Sequence, residues 1–178
     1  VYVEIPFTQT VVWGRGGNGL VYFGMVEQER PHADEPGKHG IDGHKPVRFL
    51  HVVMGLSEKT ATGKFETAEQ AAKREAGEEA GADQAIIGVE VYEFGHNPSP
   101  SFTSTWGGVV AVEVDLMKLK KPIPDPEEPI NGIFFIEAGK LIEMIAKGQS
   151  DTGAYSGVST SNSALMIHFA HHPEHFPQ

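Results

Sequence analysis

Residues 66–82, ETAEQAAKREAGEEAGA, govern the reading of everything around them. Thr67 and Gln70 form the T-x-x-Q of a capping box, which starts a helix at about Ala68, and Gly81 is a natural stop. Ala68, Ala72, Ala76 and Ala80 recur at i,i+4 with Ala71 beside them, a row of small residues that lets the helix approach a sheet closely. The other side places Glu75, Glu78 and Glu79 within little more than one turn. Like charges at these spacings cost about 0.2–0.5 kcal/mol per pair, and here they lie at the negative end of the helix dipole. Gly77 adds about 1 kcal/mol relative to alanine. Such breaches of local rules concentrate at functional sites, and a divalent cation would turn the repulsion into binding energy, with Mg²⁺ or Mn²⁺ the best match to carboxylate oxygens. The competing reading is a solvated acidic face partly neutralised by Lys73 and Arg74.

The helix sits in a chain of 178 residues, enough for one domain, residues 1–178, with a core that needs no staples. There is no cysteine, which excludes disulfides, thiolate metal sites and a cysteine nucleophile. With 14 Lys and Arg against 24 Asp and Glu the formal charge is -10, the opposite of a nucleic-acid binder's footprint. No apolar run reaches the roughly 20 residues that span a bilayer. A soluble, cytoplasmic protein without nucleic-acid or membrane partners is expected.

Outward from the helix, strands dominate. Val1–Thr10 and Leu20–Gln28 are rich in β-branched and aromatic residues on either side of the glycine cluster 14–19, which predicts a hairpin. GRGGNG matches G-x-G-x-x-G in form, but a β-forming run follows where a dinucleotide site needs a helix. Residues 31–46 read as a surface loop, and 47–55, VRFLHVVMG, as a buried strand. Further strands are expected at 85–94, 107–115 and 132–137. Helices are expected at Ala138–Lys147 and from about Ser163 to His172, the latter capped near Asn162 and stopped by Pro173. Interleaved strands and helices point to a mixed sheet with helices on its faces, an α/β (α+β) sandwich.

Glu66, seven residues, then Arg74-Glu75-Ala76-Gly77-Glu78-Glu79-Ala80-Gly81-Ala82 resembles the Nudix box, G-x5-E-x7-R-E-U-x-E-E-x-G-U with U aliphatic. Where the box has its first glycine this chain has Thr60; Gly55, directly after a strand, is the better counterpart, with a five-residue insertion in the loop SEKTATGKFE. The resemblance implies a Nudix-like α/β/α sandwich that hydrolyses a nucleoside diphosphate joined to another group. It implies Glu75, Glu78 and Glu79 as ligands of catalytic Mg²⁺, a backbone carbonyl of Met54 or Gly55 as a further ligand, and a Glu66–Arg74 pair holding the loop against the helix.

Other segments resemble the ADP-ribose and nucleotide-sugar pyrophosphatase branch. VYFGMVEQERP looks like its strand ending in Q-x-R-P, which implies that Arg30 contacts phosphate. NPSPSF, 97–102, resembles its S-P-G turn without the glycine. The acidic loop before GIFFIE presents Glu127 and Glu128 where that branch takes its general base. His51 stands where a glutamate is common. The branch is usually homodimeric. Triphosphates and dinucleoside polyphosphates are rival substrates, and a nucleotide-binding module without turnover is a rival function. In HFAHHPEHF, His168 and His172 have a zinc-ligand spacing, but Pro173 is expected to separate them from His175, leaving a terminal helix that merely carries histidines.

Overall fold

The structure, a computed structural model, describes residues 6–30, 47–92, 97–98, 106–123, 130–156 and 159–177. Seven strands, β1 (Phe7–Arg15), β2 (Val21–Arg30), β3 (Val47–Leu56), β4 (Ile86–Val91), β5 (Asn97–Pro98), β6 (Trp106–Val114) and β7 (Ile130–Glu137), form one sheet. Its order is β4-β6-β1-β3-β2-β7, with β5 on β6. β1 and β6 run parallel and the other pairs antiparallel. β1 pairs with β3 over Phe7–Thr10 and with β2 over Val12–Arg15, so it changes partner along its length. The glycine cluster is the turn of the β1–β2 hairpin, as its composition predicts, but β1 runs on through Trp13 to Arg15 rather than ending near Thr10. The apolar Val11-Val12-Trp13 continues the strand because both faces of the sheet are covered there.

Period-2 alternation sorts the central strands between two cores. Val12, Val53, Val110 and Val112 face α1 (Ala68–Ala80), whose Ala72, Ala76 and Ala80 are essentially fully buried against them. Val11, Trp13, Val52, Val109 and Ala111 face the other way, beneath Leu141 and Met144 of α2 (Ala138–Lys147) and Leu165 and Phe169 of α3 (Ser159–His171). This is an α/β/α sandwich built on a mixed sheet. Among the described residues no helix is long and apolar enough to cross a membrane.

Two expectations at the C-terminus change. α3 begins at Ser159, so Asn162 lies within it rather than capping it, and Ser161 uses its hydroxyl to accept from the Val52 amide. Pro173 does end the helical run, but the 3₁₀ turn Pro173–His175 folds the chain back so that His175 is buried against His168 and Trp13. A proline at the first position of a new turn redirects the chain without breaking its contact with the core.

His168 is fully buried and joins Tyr92 Oη (2.7 Å) to His175 (3.0 Å). Burial, reinforced by His172, His175 and His171, pushes its pKa down from 6.5 to about 3. The folded state therefore refuses a proton that the unfolded chain accepts below about pH 6.5, so stability from this group is full above that pH and declines towards pH 3. Acid scans of melting temperature should show a shallower fall between pH 6.5 and 4.5 for His168→Gln than for the parent, whatever the offset at neutral pH.

Candidate functional site

Local chemistry builds α1 as its sequence requires. Thr67 Oγ1 accepts from the Gln70 amide at 3.2 Å and Gln70 Oε1 from the Thr67 amide at 2.9 Å, which completes the capping box. Gly81 closes the helix in the left-handed region at φ 65°. A Cβ at Gly77 would lie 2.1 Å from Oδ1 of the exposed Asp83 side chain, so glycine leaves room for that carboxylate in the turn that follows the helix. That turn carries the helix into β4.

The helix presents its carboxylates to the end of β3. Glu75 is 7 % and Glu79 3 % exposed, whereas the Glu78 side chain is about half exposed, 48 %. A Cβ on Gly55 would fall 1.6 Å from Glu75 Oε1, so the Glu75 carboxylate occupies the space that any other residue would fill. Gly55 and Met54 pair with Thr8 and Gln9 of β1, which fixes this rim to the middle of the sheet. The Met54 side chain lies on the opposite face, near Gln9 Nε2 at 4.0 Å.

Arg74 ties the glutamates together. Its Nε and Nη2 donate to the Glu66 carboxylate at 3.0–3.3 Å. Its Nη1 donates to Glu75 Oε1 at 2.8 Å and Glu78 Oε2 at 3.0 Å, and Nη2 also reaches the Leu56 carbonyl at 2.8 Å. Burial works to raise the Glu66 pKa, but Arg74 and the Glu58 amide outweigh it and hold the carboxyl below its ordinary range. Burial likewise opposes the Arg74 charge, and Glu66 and Glu75 more than restore it, leaving its pKa raised. One guanidinium thus relieves much of the repulsion that the sequence alone presents.

The loop before the helix, where a five-residue insertion is expected, supports this arrangement. Lys59 and Phe65 bridge antiparallel, and the Thr60 and Gly63 amides close the turn at 2.8 Å. The Glu66 amide donates to the Glu58 carbonyl at 2.8 Å, and the Glu58 amide to Glu66 Oε2 at 3.0 Å. The insertion is a small hairpin whose two ends meet, so Glu66 stands where Arg74 reaches it. Glu58, 3.7 Å from Arg74, and the Leu56 carbonyl are partners that spacing does not announce, because they depend on how this hairpin closes.

Other residues singled out in the sequence are placed less closely. His51 is buried, with Nδ1 2.7 Å from the Val52 carbonyl and Nε2 3.2 Å from Gln28 Oε1. Arg30 ends β2, its backbone paired with Val47. Glu127 and Glu128 lie outside the described residues, as does the 99–102 part of the NPSPSF turn. The chain leading to them is anchored: the Ile123 amide donates to the Glu78 carbonyl at 2.9 Å, and the Lys120 amide to that of Gly81.

No family model and no curated protein matches the chain. Solved structures do. The NUDIX domain of Shewanella oneidensis NrtR, in complex with ADP ribose, is similar over 98 % of this chain and 90 % of its own, with a TM-score of 0.55 and 11 % identity. A structure described as an ADP compounds hydrolase matches 96 % of this chain and 75 % of its own at 0.54 and 14 % identity. An Ap4A hydrolase from C. elegans, as a binary complex, matches 96 % and 98 % at 0.52 and 15 % identity. The chain has the Nudix fold.

The contact between Gly55 and Glu75 makes a double-mutant cycle decisive. Gly55→Ala should cost about 1–3 kcal/mol in urea unfolding through overpacking and loss of the Glu75–Arg74 contact. In a Glu75→Ala background the same change should cost much less, because nothing then fills the cradle.

Proposed function

We propose that this chain, built on the Nudix fold, is a divalent-metal-dependent pyrophosphohydrolase acting on a nucleoside diphosphate joined to a further group, with ADP-ribose or a nucleotide sugar preferred. The observation that carries this reading is the convergence of Glu75, Glu78 and Arg74 beside Gly55, with Glu79 on the same turn. The solved structures with ADP ribose and for ADP compounds support the substrate class.

The donor set suits a hard cation. Glu75, Glu78 and Glu79 offer only oxygen, and a carbonyl of Met54 or Gly55 adds another, which favours Mg²⁺ with Mn²⁺ as a substitute. The cradle at Gly55 keeps the Glu75 oxygen tight against the strand end. When bound, the cation would neutralise pyrophosphate charge and lower the pKa of water. The chain's own residues do the rest. Arg74 keeps its Glu66 contact, which anchors it, while its Nη1 is the group that yields Glu75 and Glu78 to an incoming cation. Arg30 would bind phosphate. Glu127 or Glu128 would orient and deprotonate the attacking water; the anchoring of Ile123 to Glu78 starts their loop beside the helix. A cytoplasmic homodimer is the proposed working form, with light scattering as its measure.

A panel of ADP-ribose, nucleotide sugars, NADH, nucleoside triphosphates and Ap4A, with Mg²⁺, tests the substrate. AMP plus ribose 5-phosphate from ADP-ribose is expected. Cleavage restricted to triphosphates or to Ap4A would replace the ADP-ribose reading, and affinity without turnover would make the protein a binding module. Glu78→Gln should reduce metal-dependent turnover at least about a hundredfold. Undiminished turnover in that variant would remove the site assignment.

A further inference from the structure

His172, Glu174 and His175 have no part in the chemistry above, and they lie on the other face of the sheet. Thr8, opposite Gly55, and Arg15, beside the histidines, are seven residues apart on β1, roughly 23 Å at about 3.3 Å per residue. His172, Glu174 and His175 each bring one ligand atom within 4.8 Å of the others. Glu174 Oε1 is 3.3 Å from His172 Nδ1 and 3.6 Å from His175 Nε2. Ligand atoms of a tetrahedral centre with bonds of about 2.0–2.1 Å are separated by roughly 3.3–3.4 Å, so both pairs stand close to that edge length.

The outer nitrogens of both imidazoles are already engaged, as in metal centres where a second partner orients each ligand. His172 Nε2 faces Glu90 Oε2 at 2.7 Å, which leaves Nδ1 turned towards Glu174. His175 Nδ1 faces His168 Nε2 at 3.0 Å, and His168 Nδ1 faces Tyr92 Oη at 2.7 Å. Arg15 Nη2 lies 3.1 Å from His175 Nε2. Arginine can only donate, so His175 Nε2 must accept, His175 Nδ1 carries the proton and gives it to His168 Nε2, and His168 Nδ1 in turn donates to Tyr92. The tautomers of His175 and His168 follow from one guanidinium. His175 therefore offers a lone pair on the side of Glu174, with the Trp13 ring 4.2 Å away as a wall. His168, the residue that sequence spacing suggests as a ligand, has both nitrogens committed and acts behind His175.

We propose that His172 Nδ1, Glu174 and His175 Nε2 form a second metal site, separate from the glutamate helix, that takes a borderline transition metal, Zn²⁺ by preference, with Glu90 and the His168–Tyr92 pair orienting the two imidazoles. Two imidazoles and one carboxylate match zinc and its neighbours and not Mg²⁺, which selects all-oxygen sites. Arg15, on an exposed arm, is the cation that the metal displaces from His175. A bound ion would lock the Pro173–His175 turn to the end of α3 and, through Glu90 on His172, to β4.

Competition for Zn²⁺ against a chromophoric chelator tests this with the full chain. The Glu78→Gln/Glu79→Gln double variant silences the other site and should still take one equivalent of Zn²⁺. His172→Ala and Glu174→Ala, both on accessible side chains, should weaken that binding at least tenfold, and Glu90→Ala by about 10–100-fold as a loss of ring orientation. Arg15→Ala should tighten it. Co²⁺ in place of Zn²⁺ should give the visible absorption of a tetrahedral centre, lost in His172→Ala. Zinc affinity unchanged in both His172→Ala and Glu174→Ala, with folding verified by circular dichroism, overturns the proposal; so does binding that disappears with Glu78 and Glu79.

Discussion

The arrangement at the helix depends on one cation held among four carboxylates. Arg74 reaches Glu58, Glu66, Glu75 and Glu78 and a carbonyl at the end of β3, and so welds the insertion hairpin, the helix and the central sheet into one unit. Without it, the glutamates of the last two turns would face one another at the negative end of a helix dipole. With it, the helix is tolerable in the absence of any other cation. The strain written into EAGEE is thus already answered within the chain.

Close packing makes that arrangement possible. Alanines on the buried side bring α1 onto Val12, Val53, Val110 and Val112, near enough that the Glu75 carboxylate enters the space left by the missing side chain of Gly55. A bulkier row would lift the helix and take the carboxylate out of reach of the strand end. At Gly77 it is the exposed Asp83 carboxylate that takes up the space of the missing side chain. Packing and electrostatics are one constraint here: the alanine row seats the helix low enough on the sheet for the Glu75 carboxylate to reach Gly55.

The opposite face follows the same logic with different donors. There, too, a single guanidinium, Arg15, fixes the protonation pattern of a polar group of side chains, through a line of three histidine and tyrosine hydrogen bonds that ends in the core. The sheet thereby separates two polar clusters, one of oxygen donors and one dominated by imidazole, which differ in the cations they suit.

The sequence by itself determined the boundaries of α1 and α2, the hairpin at the glycine cluster, the mixed sheet with helices on its faces, and the glutamates on one turn of α1. These follow from local rules: capping, period-2 and period-3.6 patterning, and turn chemistry, each of which acts over a few residues. The tertiary structure decided what depends on long-range closure. It set Gly55 against Glu75, closed the five-residue insertion so that Glu58 and Glu66 meet, and brought Leu56 to Arg74. It also returned His175 past Pro173 to Trp13 and His168, against the reading of proline as a separator. That last outcome was illegible in sequence because a proline fixes one dihedral angle, while the direction of the chain beyond it is chosen by the core it finds to bury against.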